Sequence, residues 1–177
     1  MNRRLFLGFG LSAAQQQQCQ QLQQAIGAPY RAVISENLHV TALFIGQLNE
    51  PQIQRLISGI SESISAQQLV GFQIVFDTLV YWSKPQILAL EASYCPAALL
   101  NIHTCLTQLA APLTELPAHE QYRPHITLFR KAKTLMPMPM PNTSVKASMN
   151  SLALYESVST TQGVQYQVLE QWSLANS

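Results

Sequence analysis

Two short segments of this chain repeat each other. His39-Val40-Thr41-Ala42-Leu43-Phe44 and His125-Ile126-Thr127-Leu128-Phe129-Arg130 each read as a β-strand that opens on His-x-Thr, and their first residues are 86 apart in 177. Side chains alternate along a strand, so a His and a Thr two residues apart share one face, while Val40 and Ile126 turn to the other face and into the core. Ten of the 177 residues are Thr, so a given His has a Thr two places on with probability of about 0.06, and two such pairs among four histidines arise by chance roughly 2% of the time. Two matching strands at about half the chain length imply a fold of two similar halves. A pseudo-twofold arrangement would set the two His-Thr faces opposite one another across a cleft.

The remaining pattern gives the elements around these strands. Residues 3–10 read as a strand. Ser12 followed by Gln15 is a capping-box signal and opens a Gln-rich helix to about Ile26, with Cys19, Leu22 and Ile26 on one face and Gly27 as its stop. The glutamines supply a polar helix face. A strand over 38–46 is followed by a helix that Asn49 and Pro51 open and that runs to about Ile64. Residues 72–81 and 86–92 suggest a hairpin around Ser83-Lys84-Pro85. Pro96 starts a helix to roughly Leu109, and 125–131 is a strand. The Met136–Pro141 alternation of Met and Pro fits neither helix nor central strand and reads as an extended connection. Residues 146–158 and 164–172 suggest a closing hairpin that turns near Gln162-Gly163. Helices and hairpins are mixed, which is the α+β class, and 1–177 reads as a single domain of two intertwined lobes.

Composition narrows the partners. Only 11% of residues are charged and the net charge is +1, too little for a protein that tracks long stretches of nucleic acid. A small phosphate-bearing ligand, or one end of a chain, fits better. Cys19, Cys95 and Cys105 are odd in number and form no CxxC, which points to reduced, mostly buried thiols in a cytoplasmic protein. No Cys or carboxylate clusters with the histidines, so no metal is expected. Arg3-Arg4 followed by Leu5-Phe6-Leu7 has some likeness to a twin-arginine export signal, but Gly8 and Gly10 interrupt the apolar stretch and the segment reads as a first strand. No stretch is long enough to span a membrane.

The paired motifs suit phosphodiester chemistry. A base must take a proton from the nucleophile and an acid must give one to the leaving oxygen. Two imidazoles do both near neutral pH, and two Thr hydroxyls can donate to the non-bridging oxygens. No cofactor is required. Arg123, Arg130, Lys131 and Lys133 are four of the ten Lys and Arg residues, gathered around the second motif, and could hold a phosphate. Simple alternation puts Lys131 on the face of His125 and Arg130 on the other, so a bulge or strand end is needed to bring Arg130 to the site. His103 reads as a helix-face residue and His119 as part of the loop before the second motif. Phe9 and Phe44 read as core.

At HVTALFIG and RPHITLFRKA the chain resembles the 2H phosphoesterase superfamily, and within it the bacterial RNA 2′,3′-cyclic phosphodiesterases, also called the 2′-5′ RNA ligase family. The opening RLFLGFGL, the Asn37-Leu38 lead-in and the closing LALYESVSTTQGVQYQVLEQW extend the likeness over nearly the whole chain. The resemblance implies a bilobal fold with two antiparallel sheets facing a central cleft and helices outside. It implies His39 as proton donor to the leaving oxygen and His125 as the base on water, with a 2′-phosphate product. Thr41 and Thr127 would bind phosphate oxygens, and Arg130 phosphate or base. The chain departs from the family at Ala42, where Leu is usual, and at Leu7, where relatives carry an aromatic that stacks on the nucleobase. The expected partner is an RNA or oligonucleotide with a 2′,3′-cyclic phosphate end, with small cyclic nucleotides as the lesser alternative, acting on a monomer and without a membrane. A 2′-5′ ligase shares every catalytic residue with this reading, and a binding module without turnover would use the same cleft. The residues alone do not rank the two histidines as acid and base.

Overall fold

The computed structural model describes residues 2–116, 121–133, 144–161 and 163–175. The Met-Pro run, His119 and Gln162 therefore lie outside the described residues. The chain runs β1 (Arg3–Gly10), α1 (Ala13–Ile26), β2 (Arg31–Ala32), a 3-10 turn at Ser35–Asn37, β3 (His39–Leu48), α2 (Glu50–Ser65), β4 (Phe72–Phe76), β5 (Thr78–Trp82), β6 (Ile87–Glu91), α3 (Ala97–Ala110), β7 (His125–Arg130), β8 (Val145–Met149), β9 (Ser151–Thr160) and β10 (Gly163–Ser173). The class is α+β, with two antiparallel sheets.

The helices start and stop where their caps place them. Ser12 accepts from the Gln15 backbone N–H while the Gln15 side chain accepts from Ser12 N at 2.8 Å. Asn49 and Gln52 repeat that exchange at the head of α2. Gly27 ends α1 at φ +57°, the left-handed cap that glycine adopts without strain. Ile53, Leu56 and Ile60 line the buried stripe of α2, and Leu99, Ile102, Leu106 and Ala110 that of α3. α3 packs on β3, α2 on α3, and α1 on β7 and β8.

The larger sheet has the order β10-β9-β1-β3-β7-β6-β5, with β2 added on β7. Its two halves meet at one residue pair, Val40 with Ile126, and both of these side chains are fully buried. The halves match in detail. β1 lies beside β3 with a register shift between Leu7 and Gly8, and β6 lies beside β7 with a shift between Leu88 and Ala89. The two bulged residues, Ala42 and Leu128, are themselves 86 apart. Each bulge carbonyl is held from a helix that belongs to the other half's strand order. The His103 ring of α3 donates through Nδ1 to the Ala42 carbonyl at 2.8 Å, and the Gln23 amide of α1 donates to the Leu128 carbonyl at 2.8 Å.

Two expected strands are broken. The 72–81 segment divides at Asp77, whose carboxylate accepts from the Ser93 backbone and hydroxyl. The 146–158 segment divides at Asn150. The pieces on the far sides, β4 and β8, pair with each other as the two-stranded sheet. The hairpins themselves fall where the sequence puts them, β5 with β6 and β9 with β10.

Candidate active site

A cleft of about 840 Å³ opens over the seam between β3 and β7. His39, Thr41, His125, Thr127 and Arg130 all line it. The antiparallel pair Val40–Ile126 sets His39 and His125 as diagonal neighbours on the same face, roughly 7–8 Å apart at Cα in a flat pair. β3 and β7 are paired at that one match alone, and the cleft opens over it.

The two imidazoles are oriented in the same way. His39 Nδ1 lies 2.7 Å from the Asn37 carbonyl, and His125 Nδ1 lies 2.8 Å from the Arg123 carbonyl. A carbonyl only accepts, so Nδ1 carries the proton in each ring and Nε2 is left for chemistry. His39 Nε2 is 3.1 Å from Thr41 Oγ1. Each threonine has a small residue as its partner on the neighbouring strand. Gly8 is opposite Thr41 and Ala89 is opposite Thr127.

The bulge at Leu128 corrects the placement of the second motif's cations. It puts two consecutive residues, Leu128 and Phe129, into the core and so inverts the alternation beyond them. Arg130 therefore faces the cleft with His125 and Thr127. Lys131, which simple alternation sets beside His125, lies past the strand end at φ +58° and lines no part of the cleft, nor does Lys133. The same inversion at Ala42 turns Phe44 toward the cleft, so Phe44 is a wall residue and not core. Phe9 is fully buried. His103 also reaches the cleft wall, with its ring stacked on Tyr122 at 4.3 Å.

The two walls differ in chemistry. On the His39 side Phe6 packs against the imidazole at 4.8 Å, Tyr155 stacks on Phe6 at 4.9 Å, and Tyr166 stands edge-on to His39 at 5.0 Å. Leu7 is buried in the core and offers no stacking surface. On the other side Trp82 packs on His125 at 4.5 Å. Arg123 lies over Trp82 and makes a two-pronged pair with Glu91, both bonds 2.6 Å. Register makes Phe6–Phe44 the counterpart of Ile87–Arg130. An aromatic wall thus faces a cationic one. Arg4, Arg31, Lys84, Arg123 and Arg130 line the cleft, and among the described residues no Asp or Glu does. Half of the chain's ten basic residues therefore converge on one cavity of a nearly neutral protein, a field that draws in an anion.

That setting keeps both imidazoles uncharged in the empty cleft. Burial pushes His39 down to about 4; the Asn37 carbonyl opposes this, and the nearby charges of Arg130 and His125 add to it. His125 is lowered too, again mainly by burial, with Glu91 pulling the other way. Elsewhere Cys19 is a buried thiol pushed up to about 11 by burial, and all three cysteines are unpaired. Among the described residues no group of three or more His, Cys, Asp or Glu side chains is placed to hold a metal, and no described helix is long and apolar enough to cross a membrane.

No profile of a known protein family matches the chain. Individual proteins do. It is 25% identical over 144 residues to the RNA 2′,3′-cyclic phosphodiesterase of Escherichia coli, spanning 81% of this chain and 80% of that one. It is 25% identical over 162 residues to the protein of the same name from Aeropyrum pernix, spanning 85% and 90%. The solved structure of E. coli LigT complexed with 3′-AMP superposes with a TM-score of 0.85 at 25% identity, covering 98% of this chain and 99% of that one. Over most of its length the chain is similar in sequence and fold to RNA 2′,3′-cyclic phosphodiesterases. His39 and His125 stand on the two strands that carry the His-x-Thr motifs. The 2H reading of the sequence did not single out Arg31, Lys84, Trp82 or Tyr166, which turns and neighbouring strands bring to the cleft.

Proposed function

We propose that this chain is a 2H phosphoesterase that hydrolyses the 2′,3′-cyclic phosphate at the end of an RNA or oligonucleotide and leaves a 2′-phosphate. The observation that carries the proposal is the pair of His-Thr faces, each imidazole turned by a carbonyl on its Nδ1 so that Nε2 is the atom left for chemistry, in a cleft whose charged lining groups, among the described residues, are all cations. The names of the two relatives support the substrate class, and the 3′-AMP complex of LigT supports a nucleotide in this cleft.

In this reading the phosphate sits between the imidazoles. Thr41 and Thr127 hydroxyls and the Arg130 guanidinium bind its non-bridging oxygens. His125 Nε2 takes a proton from water as the water oxygen bonds to phosphorus. His39 Nε2 gives its proton to O3′ as the P–O3′ bond breaks, and the P–O2′ bond stays. Two imidazoles in these roles each contribute about 10²–10⁴-fold, and the scheme needs no metal. The neutral state of His39 in the empty cleft has a consequence for this scheme. The anionic phosphate has to offset Arg130 and raise the ring's proton affinity, so substrate arrives together with the acid's proton.

The test is incubation in EDTA with a short RNA that ends in a 2′,3′-cyclic phosphate, read by phosphorus NMR. A 2′-phosphate product is expected. A 3′-phosphate would reverse the assigned leaving oxygen, and loss of turnover in EDTA would overturn the metal-free scheme. Added 5′-hydroxyl RNA tests ligation by the same residues, which hydrolysis should outcompete unless the acceptor is held tightly. A mononucleotide cyclic phosphate run alongside tests the small-substrate alternative. No turnover on any of these would leave a cleft that binds nucleotides without converting them.

A further inference from the structure

The two halves of the site are built alike, yet along the main path of the sheet one strand has no described counterpart. In the order β10-β9-β1-β3-β7-β6-β5, β3 answers to β7, β1 to β6 and β9 to β5, and β10 answers to no described strand. The register agrees. Tyr155 on β9 and Trp82 on β5 occupy matching places beside Phe6 and Ile87. β10 therefore adds to the His39 half what the His125 half lacks.

What it adds is aimed at the site from both of its near residues. The Val164 carbonyl accepts from the Asn37 side-chain amide at 2.7 Å, and the Asn37 carbonyl in turn holds His39 Nδ1. Two residues on, and on the same face of the strand, Tyr166 reaches both motifs. Its ring stands edge-on to His39, centroids 5.0 Å apart at 82°, and packs against Phe6 at 4.8 Å. Its hydroxyl oxygen accepts from Arg130 Nη2 at 3.3 Å. His125 has Trp82 against it and, among the described residues, no second aromatic of this kind.

We propose that Tyr166 is a positioning residue that makes the two otherwise equivalent histidines unequal, its ring sealing His39 from water and its hydroxyl holding Arg130 toward the phosphate. The inference rests on the acid–base reading above. Other groups facing His39 are Arg130 and His125 from β7, Tyr155 from β9 and Thr41 on its own strand. Tyr166 differs from these in coming from outside both motifs and touching a group of each, His39 and Arg130. Burial is the first cause of the depressed proton affinity of His39, which is consistent with an imidazole enclosed by Phe6 and Tyr166.

The two functions of Tyr166 separate by substitution. In Tyr166→Phe the ring remains and the hydroxyl is lost. The Kd for inorganic phosphate should rise about 3- to 10-fold, the net worth of one ordinary hydrogen bond, while the NMR titration midpoint of the His39 ring stays in place. In Tyr166→Leu the ring is lost, and the His39 midpoint should climb by about one pH unit as water enters, with the midpoint of His125 unmoved. General loosening of the fold would move both histidines, so a shift common to the two overturns the proposal. So does an unmoved His39 midpoint in Tyr166→Leu, or an unchanged phosphate Kd in Tyr166→Phe. None of these readouts needs turnover. A protein without cyclic phosphodiesterase activity would sink the proposed function and still return a clear answer on Tyr166.

Discussion

Holding His39 neutral has a thermodynamic signature that does not depend on activity. Its folded value of about 4 lies below the 6.5 of an unperturbed imidazole. The unfolded chain therefore binds the proton more readily than the folded one between these two values. His39 favours the folded state fully above pH 6.5, and that contribution is lost as the pH falls toward 4. Integrated from pH 7 to pH 5 the loss is about 2 kcal/mol. The ring is half-buried and its remaining surface opens into the cleft, so screening there brings the expected figure to about 1–2 kcal/mol. The perturbation is His39→Asn, which keeps an amide donor for the Asn37 carbonyl and cannot titrate. Urea unfolding of parent and variant at pH 7 and pH 5 gives four stabilities. Every other titrating group contributes in both proteins and cancels to first order. The parent should lose about 1–2 kcal/mol more than the variant over this interval. Equal losses would mean that His39 is no harder to protonate in the fold than in the unfolded chain, and the description of the His39 wall as water-excluding would be wrong.

Three further outcomes are expected. The profile of kcat/KM against pH should be bell-shaped with both limbs below 6.5, because both free-protein imidazoles are lowered; a bell centred at or above pH 7 contradicts this. Glu91→Gln removes the carboxylate that raises His125 and unties Arg123, so the upper limb of the same profile should move to lower pH, and a limb that stays or rises refutes the assigned influence. Gly8→Ala sets a Cβ 2.6 Å from the Val40 carbonyl oxygen, a backbone atom of the motif strand that cannot move aside freely. Urea unfolding should show a loss of about 1–3 kcal/mol, with turnover reduced as β3 shifts; a variant of parental stability and rate would show that β1 and β3 have slack between them.

The elements were readable because their signals are local. Ser12 with Gln15, Asn49 with Pro51, and Gly27 each act within one turn of helix, and the His-x-Thr repeat acts within one strand. What escaped was set by contacts between distant segments. Alternation is sound up to Thr127 and fails after it, because the bulge at Leu128 is stabilised by Gln23 from α1 and by the Val33 N–H, which also reaches the Leu128 carbonyl. Nothing in HITLFR announces that, though HVTALF carries the same slip, so either motif could have corrected the other had one been known. Gln23 sits in a run that reads as polar surface, and His103 reads as a helix face. Both hold a bulge that aims a cleft residue. Asp77 and Asn150 break strands that periodicity runs through, and the pieces they release pair only with each other. Arg31 and Lys84 reach the cleft from turns, where sequence distance says nothing of spatial distance.

The central claim is that His39 and His125, from matching strands, act as one acid–base pair. Single-turnover cleavage of an RNA 2′,3′-cyclic phosphate by the parent, His39→Ala, His125→Ala and the double variant tests it most directly, with far-ultraviolet circular dichroism confirming that each is folded. The account predicts that each single variant loses about 10²–10⁴-fold and that the double variant falls well short of the product of the two losses, as residues acting in one step do. A folded single variant with near-parental turnover would contradict it.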